Sequence, residues 1–536
     1  MSRPGRILIV DDDPNWGKTL VEFLRQDGYI ADAVENVSQA LEKLGTAIYH
    51  IVVLDIRLPN NAEGIDLLQE LDRRGLKEAT RVIILSAYGT MERMRIAFRD
   101  YEVADFLEKD NFNSQIFLES VKRVFAKANI NLALDIGGLT TGTKELIVSN
   151  LKVNGKQIGR NAPSRKQLAL ELEDLFCRLF HEAHTVMVQP MIPGWSGAQV
   201  LRIKPYFEGP GRGEWQEVVV KFGHVDKIRK ERTNFEQYVK GFLGGGRSTT
   251  ILALRYTLHL GGIIYSFLGA DNDQLIDFAN FYHNSDTDKI SDALDHLFLD
   301  TCSIWYKNRE KTQPLDLAAD YQRLLNYSPK KLKKIIAEQL PSVRMKDELT
   351  FTTLDNSRIF TNPLSATANL SFKCITSTCT THGDFNPHNL FVDQADFIWL
   401  IDFEATEPAH ILRDIATLDS AIRFQLLAPQ EATLEERLRM EEVLCAPAHL
   451  NHANSLVTSF LTANQALMKA YTSVMHLRAL ADNLVGLNQH HAIKEYYIAL
   501  FYNALNTLRF SSLATVQHEH ALLCASLLAD RLNSGL

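Results

Sequence analysis

The segment His382–Glu404 reads HGDFNPHNLFVDQADFIWLIDFE, and it decides how the larger part of the chain folds. Two apolar runs, Leu390–Val392 and Phe397–Ile401, flank the polar turn Asp393-Gln394-Ala395-Asp396, which predicts a β-hairpin. His382, Asp384 and Asn389 precede the first strand, and Asp402 follows the second. A hairpin this short returns the chain to its start, so Asp384, Asn389 and Asp402 are expected to converge. Phosphoryl transfer needs a carboxylate that orients and deprotonates an attacking hydroxyl. It also needs an amide oxygen and a second carboxylate that hold Mg2+ on the nucleotide phosphates.

The order H-x-D-x-x-x-x-N, strand, turn, strand and apolar-Asp-Phe resembles the catalytic loop and metal-binding segment of kinases. Gly383 after the histidine, and Glu404 where protein kinases carry glycine, make it similar to the aminoglycoside phosphotransferase and choline kinase branch. The resemblance implies an α+β two-lobed protein-kinase-like domain that uses ATP and Mg2+. It also implies Asp384 as base, Asn389 and Asp402 as metal ligands and His382 as a brace for the loop. Asp414, in Arg413-Asp414-Ile415-Ala416, matches the D-x-A helix start of the same enzymes and is implied as structural support.

Upstream, Glu217-Val218-Val219-Val220-Lys221-Phe222 is an apolar strand carrying a lysine, which is costly to bury unless it meets a charge. By resemblance Lys221 grips the α- and β-phosphates. The helix expected over Lys227–Phe242 offers Glu231 and Glu236. Resemblance favours Glu231 as partner to Lys221, with Glu236 open as a solvated i,i+4 charge. Pro193–Ala198 reads as a glycine-containing turn in which Gly194, Ser196 and Gly197 stand where a nucleotide-covering loop belongs, although it falls short of G-x-G-x-x-G. Leu252–Leu258 and Ile263–Phe267 are expected strands leading to a hinge, with Tyr265–Gly269 as the adenine edge.

At 536 residues the chain exceeds one ordinary core. Its 46% hydrophobic and 23% charged content is that of a globular protein. A net charge of −8 argues against a general nucleic-acid or anionic-membrane surface, and no apolar run has the length of a membrane span, so a cytoplasmic location is expected. Cys177, Cys302, Cys374, Cys379, Cys445 and Cys524 lack paired CxxC spacing, which points to free buried thiols and not to structural zinc.

Residues 1–128 alternate short apolar strands with amphipathic helices, the pattern of a parallel sheet covered on both faces. The expected strands are Ile7–Val10, Ile30–Val34, Ile51–Leu54, Val82–Leu85 and Ala104–Leu107, all read as buried on both sides. Asp11, Asp12, Asp55, Ser86 and Lys109 follow their carboxyl ends, where the chemistry of such sheets gathers. Three carboxylates at one point call for a divalent cation, and a lysine and a hydroxyl suit a phosphoryl group on Asp55. The pattern resembles the flavodoxin-like, doubly wound response-regulator receiver domain. That implies Asp55 as phospho-acceptor, Asp11, Asp12 and Asp55 around Mg2+, Ser86 and Lys109 as phosphate readers and Phe106 as the switch aromatic. Asp110 stands where a proline usually follows the lysine, so the usual cis peptide is not assumed.

Residues 129–185 read as a connector. Asp135–Thr143 is turn-rich and expected as a loop, and Arg165–Ala183 is expected as an amphipathic helix, either docking the flanking domains or spacing them. Residues 186–270 are assigned to the N-lobe, and 271–536 to a C-lobe with a helical extension. Strand-like sequence over Asp347–Thr381 is read either as shaping an acceptor site or as a structural β-patch. Thr433-x-x-Glu436 predicts a capping box, and three long amphipathic helices are expected after Asn451. His518 with His520, and His490 with His491, have spacings that place them on different helix faces, so a histidine metal site is not expected.

The reading is a signalling protein phosphorylated by a sensor histidine kinase, whose receiver controls an ATP- and Mg2+-dependent phosphotransferase with an unassigned acceptor or protein partner. The other reading is a nucleotide-binding scaffold without transfer, resembling kinase-like domains of bacterial ternary-complex-associated conflict systems. A DNA-binding output lacks a basic recognition helix.

Overall fold

The computed structural model describes residues 3–58, 64–87, 99–149, 151, 163–190, 199–208, 217–243, 248–268, 275–311, 314–354, 358–366, 368, 370–450, 460–486 and 492–534. These form two compact units, Met1–Lys230 with Ile251–Ser266, and Glu231–Thr250 with Phe267–Leu536. Among the described residues no helix is long and apolar enough to cross a membrane.

The first unit opens with β1 (Arg6–Val10), α1 (Pro14–Gln26), β2 (Ile30–Val34), α2 (Val37–Thr46), β3 (Ile51–Leu54), α3 (Gly64–Arg73), β4 (Arg81–Ser86), β5 (Asp105–Glu108) and α4 (Ser114–Lys127). The strands are parallel in the order β2-β1-β3-β4-β5. Asp13, Asn36 and Asn113 cap α1, α2 and α4 by accepting from backbone amides of the first turn. Ile7, Ile9, Val53 and Ile83 face one core with Leu20, Leu24, Phe117 and Val121. Leu8, Val10, Val52, Leu54 and Ile84 face the other with Ala40, Leu44, Leu67 and Leu71. The expectation that every strand is buried on both sides fails at the edges. Ile30 of β2 is exposed and Phe106 of β5 is half-buried, because an edge strand has a neighbour on one side only.

The same unit continues into a sheet of order β10-β11-β9-β8-β7-β6. Its strands are β6 (Asp135–Gly137), β7 (Thr185–Pro190), β8 (Gln199–Tyr206), β9 (Val218–His224), β10 (Ser248–Tyr256) and β11 (Leu260–Leu268). Two sequence expectations are corrected here. Asp135–Gly137 is no loop but a strand paired parallel with β7, and Thr141–Ser149 is a helix, α5. β6 is three residues long and borrows its hydrogen bonds from β7, so local composition carried no trace of it. The helix expected over Arg165–Ala183 is α6 (Arg165–Leu179), which buries Leu168, Leu172, Leu175 and Phe176 against Val186, Ile203, Val220 and Phe222 while leaving Leu170 exposed. Helix α7 (Val225–Asn234) follows β9.

Polar groups on α6 tie this unit together. Glu171 accepts from the Thr257 hydroxyl and the His259 amide, both at 2.8 Å, and so closes the turn between β10 and β11. Leu258 from that turn packs on the core of α2 and α3. Asp174 meets His50 and Arg178, and Arg229 of α7 donates to the carbonyl of Gly75 at 2.9 Å.

The second unit contains β12 (Ile276–Asp277), β13 (Ser377–Thr381), β14 (Leu390–Val392), β15 (Ile398–Leu400) and β16 (Glu407–His410). β14 pairs antiparallel with both β12 and β15, and β13 pairs antiparallel with β16. Val343–Met345, Glu348–Phe351 and Phe360–Thr361 form a separate antiparallel sheet. The helices used below are α8 (Arg413–Ala421), α9 (Leu434–Leu444), α10 (Gln465–Val485), α11 (Ala492–Thr507) and α12 (Thr515–Asn533). Thr433 and Glu436 form the expected capping box on α9. The expectation of amphipathic tail helices fails for α11, whose residues are buried on every face; a helix hydrophobic all round is a central one.

Candidate functional sites

At the carboxyl end of the parallel sheet, β1, β3, β4 and β5 deliver Asp11, Asp55, Ser86 and Lys109 to one point. Ser86 Oγ donates to Asp55 Oδ1 at 2.7 Å, and the Arg57 amide donates to the same oxygen at 3.0 Å. Lys109 Nζ lies 2.5 Å from Asp55 Oδ2 and 2.7 Å from Asp11 Oδ2. One carboxylate oxygen each from Asp11, Asp12 and Asp55 falls within 4.8 Å of the others, a donor set that fits a hard divalent cation. Burial pushes the Asp11 carboxyl above its usual range. Burial alone would lower Lys109, but its hydrogen bonds to Asp11 and Asp55 outweigh that and hold its pKa up. Phe106 sits half-buried on β5, against the α2–α3 core. No cis peptide occurs among the described residues, so the Lys109–Asp110 bond is trans.

The second cluster is built on the hairpin β14–β15. Register pairs Leu390 with Leu400, and the Ile401 amide donates to the Asn389 carbonyl at 3.1 Å, so the two ends of the hairpin meet. Asn389 Nδ2 donates to both the carbonyl (3.1 Å) and Oδ2 (3.2 Å) of Asp384. Asp402 follows in the left-handed region, φ 71° and ψ 68°. A non-glycine residue is held there only when its surroundings impose it.

His382 lies across the cluster. The Asp384 amide donates to its Nδ1 at 3.4 Å, and its Nε2–H donates to the Ile401 carbonyl at 3.0 Å. Asp414 at the start of α8 accepts from the amides of His382 and Gly383, both at 2.8 Å. Arg413 donates to the Gly383 carbonyl and the Thr381 hydroxyl. Asp414 and Arg413 therefore hold the loop through the backbone of His382 and Gly383.

Glu231 is fully buried and accepts from the Phe403 amide at 3.1 Å. Glu236 is 53% exposed and pairs with Lys240, as a solvated i,i+4 charge does. Lys221, in the first unit, is 1% exposed on β9. Gly194, Ser196 and Gly197 lie outside the described residues, as does Gly269 of the expected adenine edge, whose residues 265–268 end β11. Sequence reading missed Asn234, whose Nδ2 donates to the carbonyls of Phe403 and Glu404, both at 2.9 Å. The signal was its i,i+3 spacing from Glu231, which puts both on one helix face.

A doubly wound parallel sheet with this cluster at its carboxyl edge defines a response-regulator receiver domain, and residues 7–121 match that family. Receiver domains take phosphoryl groups from sensor histidine kinases, which places the chain in two-component signalling. Residues 183–350 and 337–509 match the family described as ternary complex associated domain 9; the match covers more than half of the chain, and the chain belongs to that family.

Among curated proteins the chain is similar to the transcriptional regulatory protein DltR of Streptococcus agalactiae, with 28% identity over 158 residues, 28% of this chain and 68% of the relative. It is also similar to the transcriptional activator PfeR of Pseudomonas aeruginosa, 35% identical over 104 residues, 19% of this chain and 32% of the relative. Among solved structures the non-phosphorylated HemR receiver domain of Leptospira biflexa is 34% identical, covering 23% of this chain and 95% of that one with a TM-score of 0.21.

Proposed function

We propose that phosphorylation of Asp55, with Mg2+ held by Asp11, Asp12 and Asp55, controls an ATP- and Mg2+-dependent phosphotransferase in the ternary-complex-associated region. Ser86 and Lys109 read the phosphoryl oxygens, and Phe106 follows the switch. In the second unit Asp384 orients and deprotonates the acceptor hydroxyl, while Asn389 and Asp402 hold Mg2+ on the nucleotide. Lys221 is the phosphate-gripping lysine of this reading, and His382 and Asp414 hold the loop.

The observation that carries this reading is the meeting of Asn389 with Asp384 at the hairpin mouth, with Asp402 next to the residue that closes it. The amide, the two carboxylates and the bracing histidine form a donor set suited to metal-assisted transfer.

The test measures Mg-ATP turnover and thermal shift on the full chain, for wild type, Asp384→Asn and Asp402→Asn, with and without a small-molecule phosphodonor. Nucleotide turnover lost in both variants supports the reading. Stabilisation by ATP with no hydrolysis or transfer under any condition moves the assignment to a second reading, a receiver-gated scaffold that binds nucleotide. The family description, which speaks of a ternary complex, favours that second reading.

A further inference from the structure

Helices α9 and α12 pack against each other in the second unit, and each brings an i,i+4 pair of metal-ligating residues to the contact. Glu441 and Cys445 come from α9 and the residue that ends it, and His520 and Cys524 come from α12. Cys445 is 3% exposed, and the other three are at most 1% exposed. One ligand atom each from Glu441, Cys445 and Cys524 lies within 4.8 Å of the others. His520 Nε2 is 2.8 Å from Glu441 Oε1. Its Nδ1 faces Arg437 Nη1 at 3.4 Å, and a guanidinium only donates, so Nδ1 accepts and Nε2–H is left to donate to the glutamate. Carboxylate orientation by a second hydrogen-bonding group is a usual companion of metal ligation.

We propose that Cys445, Cys524 and Glu441 bind a soft divalent cation, zinc above all, with His520 bracing Glu441. Two thiolates select zinc over magnesium or calcium, and a carboxylate completes a borderline-soft set. The ion enters as M2+ while both thiols leave as thiolates, releasing two protons, so the centre gains no net charge from the exchange. Glu441 takes hydrogen bonds from both Arg423 and His520.

Arg423 is the group the ion must displace. Its Nη1 donates to Glu441 Oε2 at 2.7 Å and to Cys524 Sγ at 3.5 Å. Its Nε donates to Asp419 Oδ1 at 2.5 Å, so Asp419 keeps the guanidinium paired when Glu441 and Cys524 turn to a metal. The opposing possibility is that Arg423 is itself the permanent counter-charge of Glu441 and that the thiols are packing.

The experiment uses the full chain, purified without chelator from zinc-supplemented culture. Elemental analysis is expected to find about one zinc per chain. Cobalt exchange is expected to produce thiolate charge-transfer bands and the intense visible d–d bands of a tetrahedral site, whereas six-coordinate oxygen ligation at the receiver gives no charge-transfer band and only weak d–d absorption. Cys445→Ser and Cys524→Ser lose both signals, and Glu441→Gln weakens retention against a chelator. Should the serine variants fail to fold, wild type is alkylated in mild urea with and without added Zn2+. Protection mapped to Cys445 and Cys524 alone supports the site. Zinc-free protein that takes up no cobalt with these bands overturns the proposal. So does zinc-independent alkylation at all six cysteines, or a Cys445–Cys524 disulfide in the purified protein.

Discussion

His50 and Asp174, 124 positions apart, meet at 2.9 Å between Nε2 and Oδ1, both buried. The Arg6 amide donates to His50 Nδ1 at 2.9 Å, which leaves Nε2–H to donate to the carboxylate. Arg6 opens β1 and His50 immediately precedes β3, so α6 grips the receiver sheet at the amino ends of its strands. Asp55 lies at the other end of β3. A signal from Asp55 to α6 therefore crosses the length of that strand, on the order of 13 Å for four residues at the usual rise.

Breaking this link is expected to be costly. Asp174→Ala leaves His50 and Arg178 without their buried acceptor, and truncating one partner of such a group costs roughly 3–5 kcal/mol. Denaturant melts of the full chain measure it. A loss below about 1 kcal/mol, the range of an exposed pair, would show that the link is solvated.

The same carboxylate sets an acid limit. Burial alone would raise Asp174, but Arg178 and His50 outweigh burial and hold it well below the usual carboxylate range. A depressed folded pKa contributes stability that is fully present above the unfolded value of about 3.9 and is lost as pH falls from there toward the folded value. Below about pH 4 the wild-type melting temperature is expected to fall more steeply than that of Asp174→Asn, while the two profiles run parallel at neutral pH. Thermal melts across that range compare them.

At the receiver site the sign is opposite. Burial raises the Asp11 carboxyl, so its charge destabilises the metal-free fold, and its partial relief by Lys109 is incomplete. Asp11→Asn is expected to raise the melting temperature in chelator by a few degrees, an effect of about 1 kcal/mol, and to abolish the further rise expected of the wild type when Mg2+ is added. A lower melting temperature in chelator would mean that the Lys109 bond dominates.

Gly383 stands at φ +83°, and a Cβ built there would meet the Ala405 carbonyl at 2.4 Å and the Arg413 guanidinium at 2.7 Å. Gly383→Ala combines left-handed strain of roughly 1–2 kcal/mol with that clash. Asp414→Ala strands two backbone amides, one buried and one half-buried, at roughly 1–3 kcal/mol each. Both are expected to lower stability and nucleotide-dependent thermal shift together. Asp384→Asn should spare the shift and remove transfer only, and parallel thermal-shift and turnover assays separate the two patterns.

The receiver was legible because its chemistry is local to strand ends: Asp11, Asp55, Ser86 and Lys109 each follow their own apolar run, and a parallel sheet aligns those ends by construction. The hairpin around Asp393–Asp396 and the capping box at Thr433 were legible for the same reason, since each is closed within a few residues. What the chain alone left open was decided by partners far away in sequence. Glu231 and Glu236 stand on one expected helix, and only packing buries the first beneath Phe403 while the second stays with Lys240. β6 exists because β7 completes its hydrogen bonds, and Glu441 meets Cys524 because α9 lies on α12. Periodicity records which face of an element is buried. It carries no address for the element that covers it, and that address is set when the apolar faces find one another.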